Sequence, residues 1–126
     1  MMNALAYLAC AVLTGLTLFQ LALAFGAPIG RYAWGGSQAV LPTKLRLASL
    51  VSVLLYGVFA VIILGRADLI VTPLNYSAVS LAAWVLTGYF SLAVVMNGLS
   101  RSRLERNLMT PLCLVLALLV GLISLS

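Results

Sequence analysis

Apolar residues run almost unbroken along four stretches, at about residues 4–25, 47–64, 77–98 and 108–125, and polar residues gather between them. None of the four runs contains Asp, Glu, Lys or Arg. Each is long enough as a helix, at ~1.5 Å rise per residue, to cross a hydrocarbon core of about 30 Å. The pattern predicts an all-α membrane protein, a four-helix transmembrane bundle forming a single domain over residues 1–126.

The basic residues orient the bundle. Arg31, Lys44 and Arg46 lie between the first and second runs, and Arg101, Arg103 and Arg106 between the third and fourth. Arg66 alone lies between the second and third, where Asp68 balances it. Loops on the cytoplasmic side carry the excess of Lys and Arg. Loops 26–46 and 99–107 are therefore expected in the cytoplasm, both termini outside, and the protein in the plasma (inner) membrane as a multi-pass chain.

Composition agrees. With 64% apolar and 7% charged residues the chain fits no soluble class, because a soluble domain needs roughly 25% charged residues to cover its surface. The net charge of +5 does not point to nucleic acid, since six of the seven basic residues fall where anionic lipid headgroups would meet them. Cys10 and Cys113 sit in the first and fourth runs, on the order of 15 Å apart in depth by helical rise. A disulfide needs Cα atoms within about 7 Å, so no bridge is expected. Ala22-Leu23-Ala24 has the form of a signal-peptidase site, but the first run lacks a basic flank and exceeds a signal core of about 7–15 residues. It is read as a retained span.

Boundary residues refine the spans. Thr110-Pro111 offers a capping hydroxyl and a first-turn proline for the fourth helix, and Pro42-Thr43 resembles it before the second. Asn97-Gly98 and Gly65 are expected to end the third and second helices through glycine's tolerance of the left-handed conformation. Tyr7, Tyr32, Trp34, Tyr76 and Tyr89 form the expected interfacial belt, with Tyr89 set deepest.

Lipid tails are as apolar as leucine, so bundle helices associate through small residues and interhelical hydrogen bonds. Cys113, Ala117 and Gly121 make one such ridge at i+4 spacing, and Ala83, Thr87 and Ser91 another. Thr14, Thr17, Gln20, Ser52, Tyr56, Thr87 and Ser91 are the polar positions that would glue helices together or line a hydrated path. The segment Gly26-Ala27-Pro28-Ile29-Gly30-Arg31-Tyr32-Ala33-Trp34-Gly35-Gly36 holds four of the ten glycines. It reads either as a turn that anchors Trp34 and Arg31 among headgroups, or as a loop hugging the membrane and gating a cavity. Arg101, Arg103 and Arg106 can hold phosphate or an acidic partner bidentately. Glu105, four residues after Arg101, can pair with it in one helical turn.

Catalysis has little to stand on. The chain has no His and only two acids, assigned to opposite sides of the membrane. That leaves no paired carboxylates, no Ser-His-Asp arrangement and no His/Cys metal set, so no cofactor is implied. With no acid or His inside an apolar run, proton-coupled transport is not expected either.

The motifs GAPIGRYAWGG at 26–36, VLP at 40–42 and SRSRLERNLMTP at 100–111 resemble those of a family of small four-span bacterial membrane proteins with no assigned activity. That resemblance implies the fold and supplies no functional residues. Fluoride channels are of similar size, but their Phe-rich third helix and second-helix Asn are missing here. The leading expectation is a non-enzymatic assembly or accessory subunit, a homo-oligomer or the companion of a partner membrane protein. A channel or facilitator for a small neutral or anionic solute, and a lipid- or quinone-binding protein, are the alternatives.

Overall fold

The computed structural model describes residues 2–126. They form four helices, α1 (Met2–Ala24), α2 (Thr43–Arg66), α3 (Tyr76–Gly98) and α4 (Arg103–Leu125), with two short 3-10 turns at Gly30–Tyr32 and Trp34–Gly36 and no strand among the described residues. All four helices are long and apolar enough to cross a membrane, the architecture of a multi-pass membrane protein. Neighbours run antiparallel. The 25–42 loop meets the start of α4 at one end, here the loop end, and Arg66 at the close of α2 meets the close of α4 at the other.

Three helices turn inward a seam whose steps are three or four residues, the spacing of packed helix bundles. In α1 it comprises Ala6, Ala9, Leu13, Leu16, Gln20 and Leu23, and in α3 Val79, Ala83, Leu86 and Phe90. In α4 it runs from Glu105 and Met109 through Cys113 and Leu116 to Val120 and Ile123. Ala6, Ala9 and Ala83 are almost wholly buried, which lets backbones approach where no hydrophobic force favours helix over lipid. α3 and α4 pack most extensively and α1 and α2 next. α2 is the exception. It buries only Ser49, Ile63 and Arg66, while Leu47, Leu50, Val51, Leu54, Leu55, Val58 and Val61 face outward.

Several boundaries differ from the sequence expectation. α4 begins at Arg103, capped by Ser102, whose Oγ accepts the Glu105 N–H at 3.3 Å. Pro111 lies inside the helix, and the Thr110 hydroxyl is buried without a partner instead of capping. The reason is the Ser102-Arg103-Leu104-Glu105 sequence, an N-cap with an acid at the third helical position, where the macrodipole favours it. Loop 99–107 thus shrinks to 99–102, and loop 26–46 to 25–42 because α2 starts at Thr43. Neither Gly98 nor Gly65 takes a positive φ. The left-handed closing residues are Gly26 after α1 (φ 92°) and Asp68 after α2 (φ 59°). Each closes a pair of wrap-back hydrogen bonds, Ala27 N–H to Ala22 O with Gly26 N–H to Leu23 O, and Leu69 N–H to Leu64 O with Asp68 N–H to Gly65 O. Cys10 and Cys113 are free thiols.

Candidate functional site beneath the loop

The 25–42 loop folds across one end of the bundle. Leu23, Ala33 and Leu41 form a small core of their own with Phe19, Ile29 and Leu45 packed on it. Gly30 N–H donates to Ala39 O at 2.7 Å and draws the two arms of the loop together. Arg31 turns inward along the loop, with Nη1 donating to Gly36 O at 3.0 Å and Ser37 O at 3.2 Å. Arg46 holds Leu41 O at 2.9 Å.

Three hydrogen bonds staple this loop to two helices. Trp34 Nε1 donates to Ser49 Oγ on α2 at 3.1 Å. Gly35 N–H donates to Glu105 Oε2 on α4 at 2.8 Å. Ser102 Oγ donates to Arg31 O. Gly36 (φ 69°) lies against Ser102, so an added Cβ would strike that side chain and the Arg31 carbonyl. Trp34 itself has a φ of 52°, a conformation costing a residue with a side chain about 1–2 kcal/mol. The loop holds its bulkiest side chain in a strained backbone to set the indole over the bundle end.

Under that lid is a cavity of about 200 Å³. Its wall combines polar groups (Gln20, Ser52, Tyr56, Asn97 and Glu105) with Trp34, Phe90, Tyr89 and Cys113. Glu105 is 7% exposed and Gln20 8%, so both polar side chains are taken almost wholly out of solvent. Gln20 Nε2 reaches Tyr56 Oη at 3.4 Å, and Gln20 Oε1 is buried with no partner. Asn97 commits its Nδ2 to Ala93 O at 2.8 Å and to Cys113 Sγ at 3.5 Å. Tyr89, expected in an interfacial belt, instead joins an aromatic cluster with Phe59 and Phe90, ring centroids 5.2 and 5.3 Å away. Tyr89, Ala93 and Asn97 also line a second hollow on the outer side of α3 with Leu92 and Met96. A third, almost wholly apolar, runs between α2 and α3 from Tyr89 past Phe59 and Val85. The polar cavity therefore adjoins apolar grooves that face lipid.

The other sequence candidates distribute differently. Thr14 and Thr17 return their hydroxyls to Cys10 O and Leu13 O of their own helix, both at 2.8 Å. Thr87 bonds Ala83 O and meets Ser124 Oγ at 3.4 Å in the α3–α4 interface, and exposed Ser91 bonds Thr87 O. Only Gln20, Ser52 and Tyr56 of the polar set converge. Gly121 faces Thr87 across α3–α4, and Cys113 faces Asn97, so this ridge packs within the chain. Arg31, Arg101 and Arg103 border a surface cleft beside Ser102, while Arg106 donates to Ser100 O at 3.0 Å. Arg101 precedes α4, so the one-turn pairing with Glu105 has no helix to form on, and the carboxylate takes the Gly35 amide instead. The acid expected in a solvent-exposed loop is a buried wall residue of the cavity. The Ser-x-x-Glu signature at 102–105 was the signal that would have placed it on a helix.

At the opposite end Arg66, 5% exposed, belongs to the bundle and not to a neutral loop. Its Nη2 donates to Ser124 O of α4 and to Ser126 O just past it, and its guanidinium lies 5.3 Å from the Tyr76 ring centroid, while its Nε is buried without a partner. Among the described residues no three His, Cys, Asp or Glu side chains gather as a metal site would need. Comparison of the chain with family models, with curated proteins and with solved structures finds no significant match.

Proposed function

We propose that this protein binds a small amphiphilic molecule inside the membrane, its polar head in the cavity under the loop and its apolar tail along the α2–α3 groove. The observation that carries this reading is Gln20, a buried amide with an unpartnered oxygen in a cavity that already holds a buried carboxylate. Leaving such a group unpaired costs about 1–3 kcal/mol, and a bound head would relieve it. Ligand sites combine apolar walls with a few convergent polar groups, and helix bundles place them between helices. The cavity volume, about 200 Å³, exceeds the ~150 Å³ that suffices for benzene in an apolar core. In this reading the loop end faces the cytoplasm of a bacterial inner membrane, with Arg101 and Arg103 among anionic headgroups, as the charge bias of the loops supports.

The test is extraction with native lipid followed by mass spectrometry of the intact particle. A stoichiometric passenger is expected on the wild type and not on Ala93→Phe, which fills the cavity from its α3 wall. The same complement on both proteins overturns the reading.

A second reading, assembly through α2, rests on the seven large apolar side chains which that helix turns outward. Disulfide capture of a Leu54→Cys variant in membranes is its measurement, with a dimer expected. Purely monomeric protein at native expression would dismiss it.

A further inference from the structure

The cavity's charge inventory names its occupant more closely. Resting on the amphiphile-binding reading above, we infer that the head it receives is an organic cation, a protonated amine or quaternary ammonium, with Glu105 as counter-ion and Trp34 and Tyr56 as ring walls. No Lys or Arg lines the cavity, and Glu105 is its one charged residue. Three arginines of this end hold backbone carbonyls, Arg31 those of Gly36 and Ser37, Arg46 that of Leu41 and Arg106 that of Ser100, while Arg101 and Arg103 border the outer cleft and not the cavity. Glu105 Oε2 takes the Gly35 amide, and its second oxygen has no hydrogen-bond partner among the described residues. The start of α4 offsets part of that charge through its dipole, roughly half an elementary charge. A cation in the cavity supplies the remainder.

The uncharged wall favours the same guest. Gln20 presents an unpartnered oxygen, and Asn97 has spent its N–H groups on Ala93 O and Cys113 Sγ, leaving its own oxygen for a donor. Aromatic faces attract ammonium groups through their quadrupole, by about 0.5–2 kcal/mol according to desolvation. Phosphate, sulfate and carboxylate heads would face Glu105 with no positive side chain in the cavity to receive them, and a neutral head would leave the carboxylate uncompensated. The apolar groove between α2 and α3 then takes the alkyl part of the cation.

The chain has two tryptophans, so Trp84→Phe leaves the Trp34 indole as the sole reporter. We would titrate that protein in maltoside micelles, which carry no ammonium group, with decyltrimethylammonium, decylphosphocholine and decanol. Saturable change in Trp34 emission is expected with decyltrimethylammonium, weakened by about tenfold or more in Glu105→Gln, as loss of a charged partner implies. Glutamine still accepts the Gly35 amide, so the lid stays closed and the change isolates the charge. Tyr56→Leu, with Glu105 intact, is expected to weaken the cation more than decanol. Decylphosphocholine binding that also depends on Glu105 makes a zwitterionic lipid head a source of the ammonium, and its failure to bind leaves a free cationic amphiphile. Equal binding of decanol and the cation, unchanged by Glu105→Gln, overturns the cationic assignment while the amphiphile site stands. No saturable response to any of the three ends both.

Discussion

Each end of this bundle buries one charged side chain, and the two differ in what surrounds them. Arg66 points along the bundle and spends Nη2 on the last carbonyls of α4, with the Tyr76 ring beneath its guanidinium. Those carbonyls have no intrahelical donors, so an arginine there completes a helix terminus. Glu105 also sits at an end of α4, where its charge suits the macrodipole, but only one of its oxygens meets a protein donor. The rest of its capacity opens on a cavity that holds an unpartnered amide. Arg66 closes a helix end through Nη2, although its Nε stays buried without a partner and it borders a hollow of its own with Asp68 and Thr72. Glu105 differs in sharing its cavity, between the helices, with a second buried polar group that lacks a partner, Gln20 Oε1.

Breaking each end in turn tests that contrast. Arg66→Met should have the largest effect on stability, lowering the unfolding free energy by about 2–3 kcal/mol through loss of charge-assisted hydrogen bonds, with binding at the far end unchanged. Unfolding in a graded denaturing-detergent series reads the first, and Trp34 emission the second. Gly36→Ala should release the lid, because the new Cβ meets Ser102 at a backbone conformation that disfavours it. About 1–2 kcal/mol is expected, together with faster exchange of the Gly35 amide by hydrogen-exchange mass spectrometry. Glu105→Ala should also free that amide, whereas Glu105→Gln should not, so the pair separates the carboxylate's role as a staple from its charge. Asp68→Gly should stabilise by about 0.5–1 kcal/mol, because glycine accepts the positive φ that Asp68 now holds. Smallest of all, Thr110→Val should be neutral or slightly stabilising in the same unfolding series, since the threonine hydroxyl is buried with no partner.

The span count and the all-α class were legible in the apolar runs, and the pairing of loops at one end followed from that count. The site was legible only in part. Gln20, Ser52 and Tyr56 stood out as polar residues inside apolar runs and do converge, and Trp34 stood out in its glycine-rich segment. Thr14, Thr17, Thr87 and Ser91 looked equivalent to them, and like Ser52 they return their hydroxyls to the preceding turn, but they do not line the cavity. That choice depends on which face each residue presents, and a run apolar all round carries no periodicity to show it. Glu105 was misplaced because Thr110-Pro111 drew the start of α4 too late, although the Ser102–Glu105 spacing was already present.

What the sequence determined by itself is the lipid-compatible architecture. Backbone groups in hydrocarbon must be satisfied within each segment, so four apolar runs of spanning length leave little alternative to four helices. What only the tertiary structure decided is the relation between the 25–42 loop and α4. Trp34 and Gly35 are distant from Glu105 along the chain, and their meeting depends on the rotation of each helix about its own axis and on the left-handed backbone at Trp34 and Gly36. Close packing at Ala6, Ala9 and Ala83 sets those rotations, and the cavity beneath the lid is the space that packing leaves.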